Sequence, residues 1–185
     1  MHGAKVIAVK GSFDDALSAA RELAMEPGLY LLNSINPFRL EGQKTAAYEV
    51  WDQLGEKAPD KVVLPVGNAG NISAYWKGFK ELETVGLANS HPSMIGVQAS
   101  GARPVAEAFE AHADEIRPAP CPQTVATAIR IGNPVNWKKA LAAMRESGGN
   151  AEIVTDVEIL EAQRLLARME GIFTEPAGAA PIAAL

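Results

Sequence analysis

Lys61-Val62-Val63-Leu64-Pro65-Val66-Gly67-Asn68-Ala69-Gly70-Asn71-Ile72-Ser73-Ala74-Tyr75-Trp76-Lys77-Gly78-Phe79 changes its hydrophobic period in mid-stretch. An apolar, β-branched run ends at Val66, a glycine-bracketed polar loop follows, and Ile72, Tyr75, Trp76, Phe79 and Leu82 then recur at helical spacing. The order is strand, tight loop, helix. Gly67 and Gly70 permit positive φ, which is expected at Gly70, and leave no Cβ in the way, so that successive backbone N–H groups can turn toward one ligand at the positive end of the helix. Such a loop cradles a phosphate or a carboxylate. The same spacing also suits a crowded strand-to-helix turn whose glycines serve packing alone. Asn68 and Asn71 favour the ligand, because their amides can donate to phosphate oxygens.

Similar units flank this one. Ala4 to Val9 and Leu29 to Leu32 read as strands, Met94 to Ala99 as a buried strand, and Glu152 to Val154 as a brief one. Ser12 with Asp15, and Thr155 with Glu158, are capping boxes that open helices. Further helices are expected from Glu41 to Leu54, closed by Gly55, from Val105 to about Ala111, and from Asn136 to Glu146, stopped by Gly148-Gly149. Asn33 to Arg39 reads as a polar loop at a strand's carboxyl end, where ligands bind in α/β sheets. Arg117 to Pro122 holds three prolines and reads as a loop, while Thr124 to Ile131 stays open between strand and short helix. Alternation of this kind predicts an α/β fold, a mainly parallel sheet with helices on both faces. The apolar stretch after Glu175 reads as the start of another helix, with the chain expected to continue beyond it.

Composition narrows the function classes. The 185 residues are 48% hydrophobic and 21% charged, as in one soluble globular domain with a real core. A net charge of −5 without a basic run excludes a nucleic-acid backbone as partner. Cys121 is the single cysteine, and no signal peptide or apolar span is legible, which places the protein in the cytoplasm and off the membrane. His2, His91 and His112 lack Cys or acidic neighbours at ligand spacing, so no metal site is expected.

Four blocks taken together resemble one family. They are Asn33-Ser34-Ile35-Asn36-Pro37-Phe38-Arg39-Leu40-Glu41-Gly42-Gln43-Lys44-Thr45, Pro65 to Asn71, Thr127-Ala128-Ile129-Arg130-Ile131-Gly132-Asn133-Pro134, and Glu175-Pro176-Ala177-Gly178-Ala179. In this order they are similar to the pyridoxal-phosphate-dependent threonine synthases of the tryptophan synthase β-like fold. The resemblance implies pyridoxal 5'-phosphate as cofactor, with Gly67, Asn68, Ala69, Gly70 and Asn71 on its phosphate. It implies Asn33, Ser34 and Arg39 near the phosphate of the substrate, O-phosphohomoserine, where a guanidinium suits bidentate recognition. Glu175 and Pro176 match a block behind the cofactor ring. It further implies residues 1–28 as a remnant of the smaller, mobile subdomain, residues 29–185 as the cofactor-binding α/β domain, truncated at its C-terminus, and a possible homo-oligomer.

Two departures qualify the match. The family's Schiff-base lysine belongs to a Ser-Phe-Lys-Asp-Arg-like segment expected upstream of this chain, and no lysine here has that context, so no catalytic residue is assigned. Lys44 has its own counterpart in the family, and Lys61 sits at the entry of its strand. The strand whose threonine faces the ring nitrogen is expected beyond Leu185. The expected function is conversion of O-phosphohomoserine and water to threonine and phosphate. The alternatives are a remnant that only binds phosphate or the cofactor, and an unrelated nucleotide-binding domain, which the absence of a G-x-G-x-x-G or Walker pattern disfavours.

Overall fold

The computed structural model describes residues 3–33 and 35–185. Helix α1 (Phe13–Leu23) is followed by α2 (Pro37–Gln43), α3 (Thr45–Gln53), strand β1 (Lys61–Pro65), α4 (Gly70–Thr84), β2 (Ser93–Ala99) and α5 (Pro104–Glu110). A 3-10 turn (Thr127–Ile129), α6 (Trp137–Glu146), β3 (Asn150–Val154), α7 (Asp156–Glu170) and α8 (Pro176–Ala183) complete the chain. Among the described residues one sheet runs in the order β1-β2-β3, parallel throughout, with Val63 opposite Ile95 and Gly96 opposite Ala151.

Strand alternation divides the core in two. Val62 and Leu64 of β1, Met94 of β2 and Ala151 and Ile153 of β3 pack with Ile72, Trp76 and Phe79 of α4 and Leu141 and Met144 of α6. The set on the opposite face, Val63, Val97, Ala99 and Val154, packs with Ile159 of α7 and Ala177, Ala179 and Ala180 of α8. Helices therefore cover both faces, as alternation in the sequence implies.

Two expected strands are absent. Residues 4–9 and 29–32 form no strand, and Val6 and Leu32 are 77% and 75% exposed. Apolar, β-branched composition describes side chains that fit a pleated surface, but a strand also needs a neighbour to complete its backbone hydrogen bonds, and among the described residues none lies beside them. The polar loop expected over 33–39 is in part helix. Asn36 caps α2 by accepting the Phe38 N–H at 2.9 Å, and Pro37 occupies the first helical position, where a missing N–H costs nothing. The segment left open at 124–131 is irregular but for the 3-10 turn at Thr127–Ile129.

Both capping boxes form. Asp15 accepts the Ser12 N–H at 2.7 Å, and Glu158 accepts the Thr155 N–H at 2.7 Å. The backbone N–H and then the hydroxyl of each partner hold these carboxyls below their ordinary values. Glu41 is lowered to about 2, first by Lys44 and then by Lys77. A carboxyl depressed by folding contributes stability that is fully present above its unfolded pKa and lost as pH falls through the folded one. Melting temperature is accordingly expected to hold down to about pH 4.5, the ordinary glutamate value, and to fall from there to about pH 2. Glu158→Gln should flatten part of that fall in a pH series of thermal melts; parallel curves for parent and variant would contradict the assignment.

Candidate anion-binding site

β1 delivers the chain into the loop with little freedom. The Val66 N–H donates to the Val97 carbonyl at 2.8 Å, continuing the ladder one residue past the strand. The loop then turns at Ala69, whose backbone is left-handed with φ 62°, and α4 starts at Gly70. The sequence expectation of positive φ at Gly70 is therefore corrected. Gly70 is already helical, and the left-handed residue is a fully packed alanine, at a strain of roughly 1–2 kcal/mol. Gly67 is required for another reason, close approach: a Cβ there would stand 2.7 Å from the Ala128 carbonyl oxygen and 3.2 Å from the Ile129 Cα.

The asparagines divide their work. Asn71 spends its amide on the loop itself, donating from Nδ2 to the Pro65 carbonyl at 3.0 Å and accepting the Ile72 N–H at 2.8 Å through Oδ1. Asn68 braces the loop against the chain before α6: Oδ1 accepts the Val135 N–H at 2.9 Å, and its carbonyl accepts from Asn136. Among the described residues its Nδ2 is buried without an acceptor. An unsatisfied buried donor costs ~1–3 kcal/mol, which an anion's oxygen would recover. Gly70 and Asn71, as the first two residues of α4, point N–H groups out of the helix end, where its dipole adds ~0.3–1 kcal/mol for a negative charge.

A cleft of about 400 Å³ lies over this loop and is lined by all five of its expected residues, Gly67 to Asn71. Arg39 and Gln43 of α2 face it, as do the turn at 127–131 and Glu175 with Gly178 at the start of α8. Of the three residues expected at a second phosphate, Arg39 thus reaches the cleft. Asn33 is not among the lining residues; its Oδ1 accepts the Ile35 N–H at 2.9 Å and shapes the entry to α2. Ser34 lies outside the described residues. Phe13 lines the cleft although no sequence signal marked it, at the first position of a capped helix, and Gln43, inside the first of the four family-like blocks, lines it without having been assigned a role. A larger groove of about 640 Å³ beside Trp51, Leu82, Val85 and Leu87 is walled mostly by apolar side chains and offers no comparable set of backbone donors.

The two lysines weighed from sequence do not serve the cleft. Lys44 Nζ pairs with Glu41 and with Glu81, each at 2.8 Å, and these carboxylates, Glu41 first, hold its pKa above the ordinary lysine value. It stays protonated and engaged at neutral pH. Glu81 is pushed up by burial, but hydrogen bonds from Lys44 and Tyr48 outweigh this and leave it lowered. Lys61 opens β1, at the opposite end of the strand from the loop.

The family model described as pyridoxal-phosphate dependent enzyme matches residues 1–185. The chain is 64% identical over 184 residues to the threonine synthase of Methanocaldococcus jannaschii and 53% identical over 185 residues to that of Synechocystis sp.. All of the chain is covered in both, against 45% and 46% of those relatives, so it spans about half their length. Among solved structures, a T.th. threonine deaminase superposes with a TM-score of 0.77 at 26% identity, over 98% of this chain and 57% of that one. Maize serine racemase superposes with a TM-score of 0.79 at 22% identity, over 98% of this chain and 52% of that one, which concerns the fold alone. Among the described residues no helix is long and apolar enough to cross a membrane.

Proposed function

The chain belongs to the pyridoxal-phosphate-dependent enzymes, and from that premise we propose that it serves a cytoplasmic threonine synthase reaction, conversion of O-phosphohomoserine and water to threonine and phosphate. One observation carries the reading: the cleft at the amino end of α4 is lined by the whole loop from Gly67 to Asn71 together with a cation, Arg39, and Asn68 of that loop keeps a buried Nδ2 without a partner among the described residues. This donor set fits the cofactor's phosphate. Gly67, Asn68, Ala69, Gly70 and Asn71 would hold it through backbone N–H groups and the Asn68 amide. Arg39 comes from a different element, and we assign it to the phosphate of the substrate, whose dianion a guanidinium binds in a fork. Glu175, Ala177 and Gly178 also line the cleft, and the small side chains of the last two would leave room for a ring beside the phosphate. When bound, pyridoxal phosphate supplies the electron sink for chemistry at the substrate's α-carbon.

A second reading, binding without turnover, draws on the positions of Lys44 and Lys61, neither of which is offered to the cleft. Titration of the purified chain with pyridoxal phosphate, followed by an assay of phosphate release from O-phosphohomoserine, separates the two. Saturable binding with release supports the first reading, binding without release the second, and no binding overturns both. Arg39→Ala is expected to weaken O-phosphohomoserine about tenfold by calorimetry, the low end for a hydrogen bond to a charged group at an exposed residue, and to leave pyridoxal phosphate affinity nearly unchanged. Equal losses for the two ligands would count against this division of labour.

A further inference from the structure

From Met94 to Ala99, β2 carries one polar side chain, Gln98, and it is 1% exposed. A primary amide buried so completely has to find its partners inside the protein. Its Oε1 accepts the N–H groups of Val105 and Ala106, both at 2.9 Å, which are orphan donors in the first turn of α5. Arg103, the residue in the cap position of α5, makes no side-chain cap, so Gln98 does that work from the neighbouring strand. Its Nε2 donates to the Val66 carbonyl at 3.0 Å.

The last bond has a consequence for the loop. The Val66 carbonyl and the Gly67 N–H belong to one planar peptide unit, and no cis bond occurs among the described residues, so the two groups point in opposite directions. Fixing the carbonyl toward Gln98 fixes the Gly67 N–H away from it. Gly67 lines the cleft. With the Val66 N–H already bound to Val97, both polar groups of Val66 are set by β2.

We propose that Gln98 is a positioning residue for the anion cradle: it does not touch the anion, but orients the peptide that presents the first loop N–H to it. The proposal rests on the reading of the cleft as an anion site. Gln98→Met keeps the length and removes all three hydrogen bonds. It is expected to weaken inorganic phosphate and pyridoxal phosphate about tenfold at a temperature where circular dichroism shows the chain folded. Phosphate should also cease to shift the Gly67 amide resonance. Ser147→Ala is the control, since Ser147 Oγ accepts the Met94 N–H at 2.9 Å near the opposite end of β2; it should lower the melting temperature and leave both affinities unchanged. Should Gln98→Met be unfolded, Gln98→Glu, which retains an acceptor for Val105 and Ala106 but no donor for Val66 when ionised, takes its place with the same expectation.

Parent-like affinity in a folded variant overturns the positioning role and leaves the cradle standing. A parent chain that binds neither phosphate nor pyridoxal phosphate overturns both. Unfolding of both variants also overturns the proposal, because it assigns the amide to the loop and not to the existence of the fold.

Discussion

Replacing Gly149 by alanine is expected to prevent stable folding. A Cβ at this position would stand 1.9 Å from the Met94 carbonyl oxygen and 2.7 Å from its carbon, contacts that no rotamer change relieves because every atom involved is backbone. Neither side can retreat cheaply. Met94 pairs with Val62 across the sheet and donates its N–H to Ser147, while the Gly149 N–H donates to the Met144 carbonyl at 2.8 Å just before β3. Overpacking of side chains costs ~1–3 kcal/mol, and a backbone collision at a sheet junction exceeds that. Gly149→Ala should lose about 4 kcal/mol or more, on the order of 8–16 °C in melting temperature, or remain insoluble. The adjacent Gly148→Ala meets no atom within 4 Å and bears only the strain of φ +62°, roughly 1 kcal/mol. Thermal melts of the pair check this directly, and similar losses at the two positions would show that the collision is relieved by a shift of β3.

Gly67→Ala is expected to cost binding more than stability. Its Cβ would meet the Ala128 carbonyl oxygen and the Ile129 Cα, so the added methyl wedges apart two walls of the same cleft. At ~1–3 kcal/mol for the wedge, affinity for phosphate and pyridoxal phosphate should fall roughly ten- to hundredfold. Gly55→Ala, at φ +71° and with nothing within 4 Å, is the counterpart that strains the backbone at the end of α3 without touching the cleft; its affinity should match the parent's. Phosphate binding to Gly67→Ala as tight as to the parent would remove the cradle assignment.

The parts of the fold that the sequence announces are those governed by neighbours in the chain. Ser12 with Asp15 and Thr155 with Glu158 form reciprocal caps within one helical turn, and Gly55 and Gly171 end helices in left-handed backbone, so local chemistry was sufficient. β1 and β2 were legible because nearly continuous apolar runs bounded by turns suit a parallel sheet covered on both faces, and β3 because Ile153 and Val154 stand directly before the Thr155 cap. Residues 4–9 and 29–32 show the limit: their propensity is local, but pairing is not. At the site, the glycine-bracketed loop was visible from Gly67 to Asn71, yet the reason for Gly67 was not, because Ala128 lies far along the chain. Sequence likewise could not show that Asn71 would be consumed by Pro65 while the Asn68 amide stays unpaired, since that depends on which carbonyls the fold brings near. The Asn36-Pro37 pair did carry a helix-start signal, outweighed in reading by the polar residues around it.

The sheet order β1-β2-β3 repeats the order of synthesis. Among the described residues no strand is inserted between two that come earlier in the chain: β2 lies beside β1, and β3 lies on the other side of β2. Each crossover carries a helix that packs both on the strand before it and on the strand after it, α4 on β1 and β2, then α6 on β2 and β3. A chain leaving the ribosome can thus assemble this sheet by successive addition at one growing edge, without reopening a finished ladder. The polypeptide around Gly67 and Gln98 lies on or next to the first two strands, ahead in the chain of α7 and α8, which cover the other face.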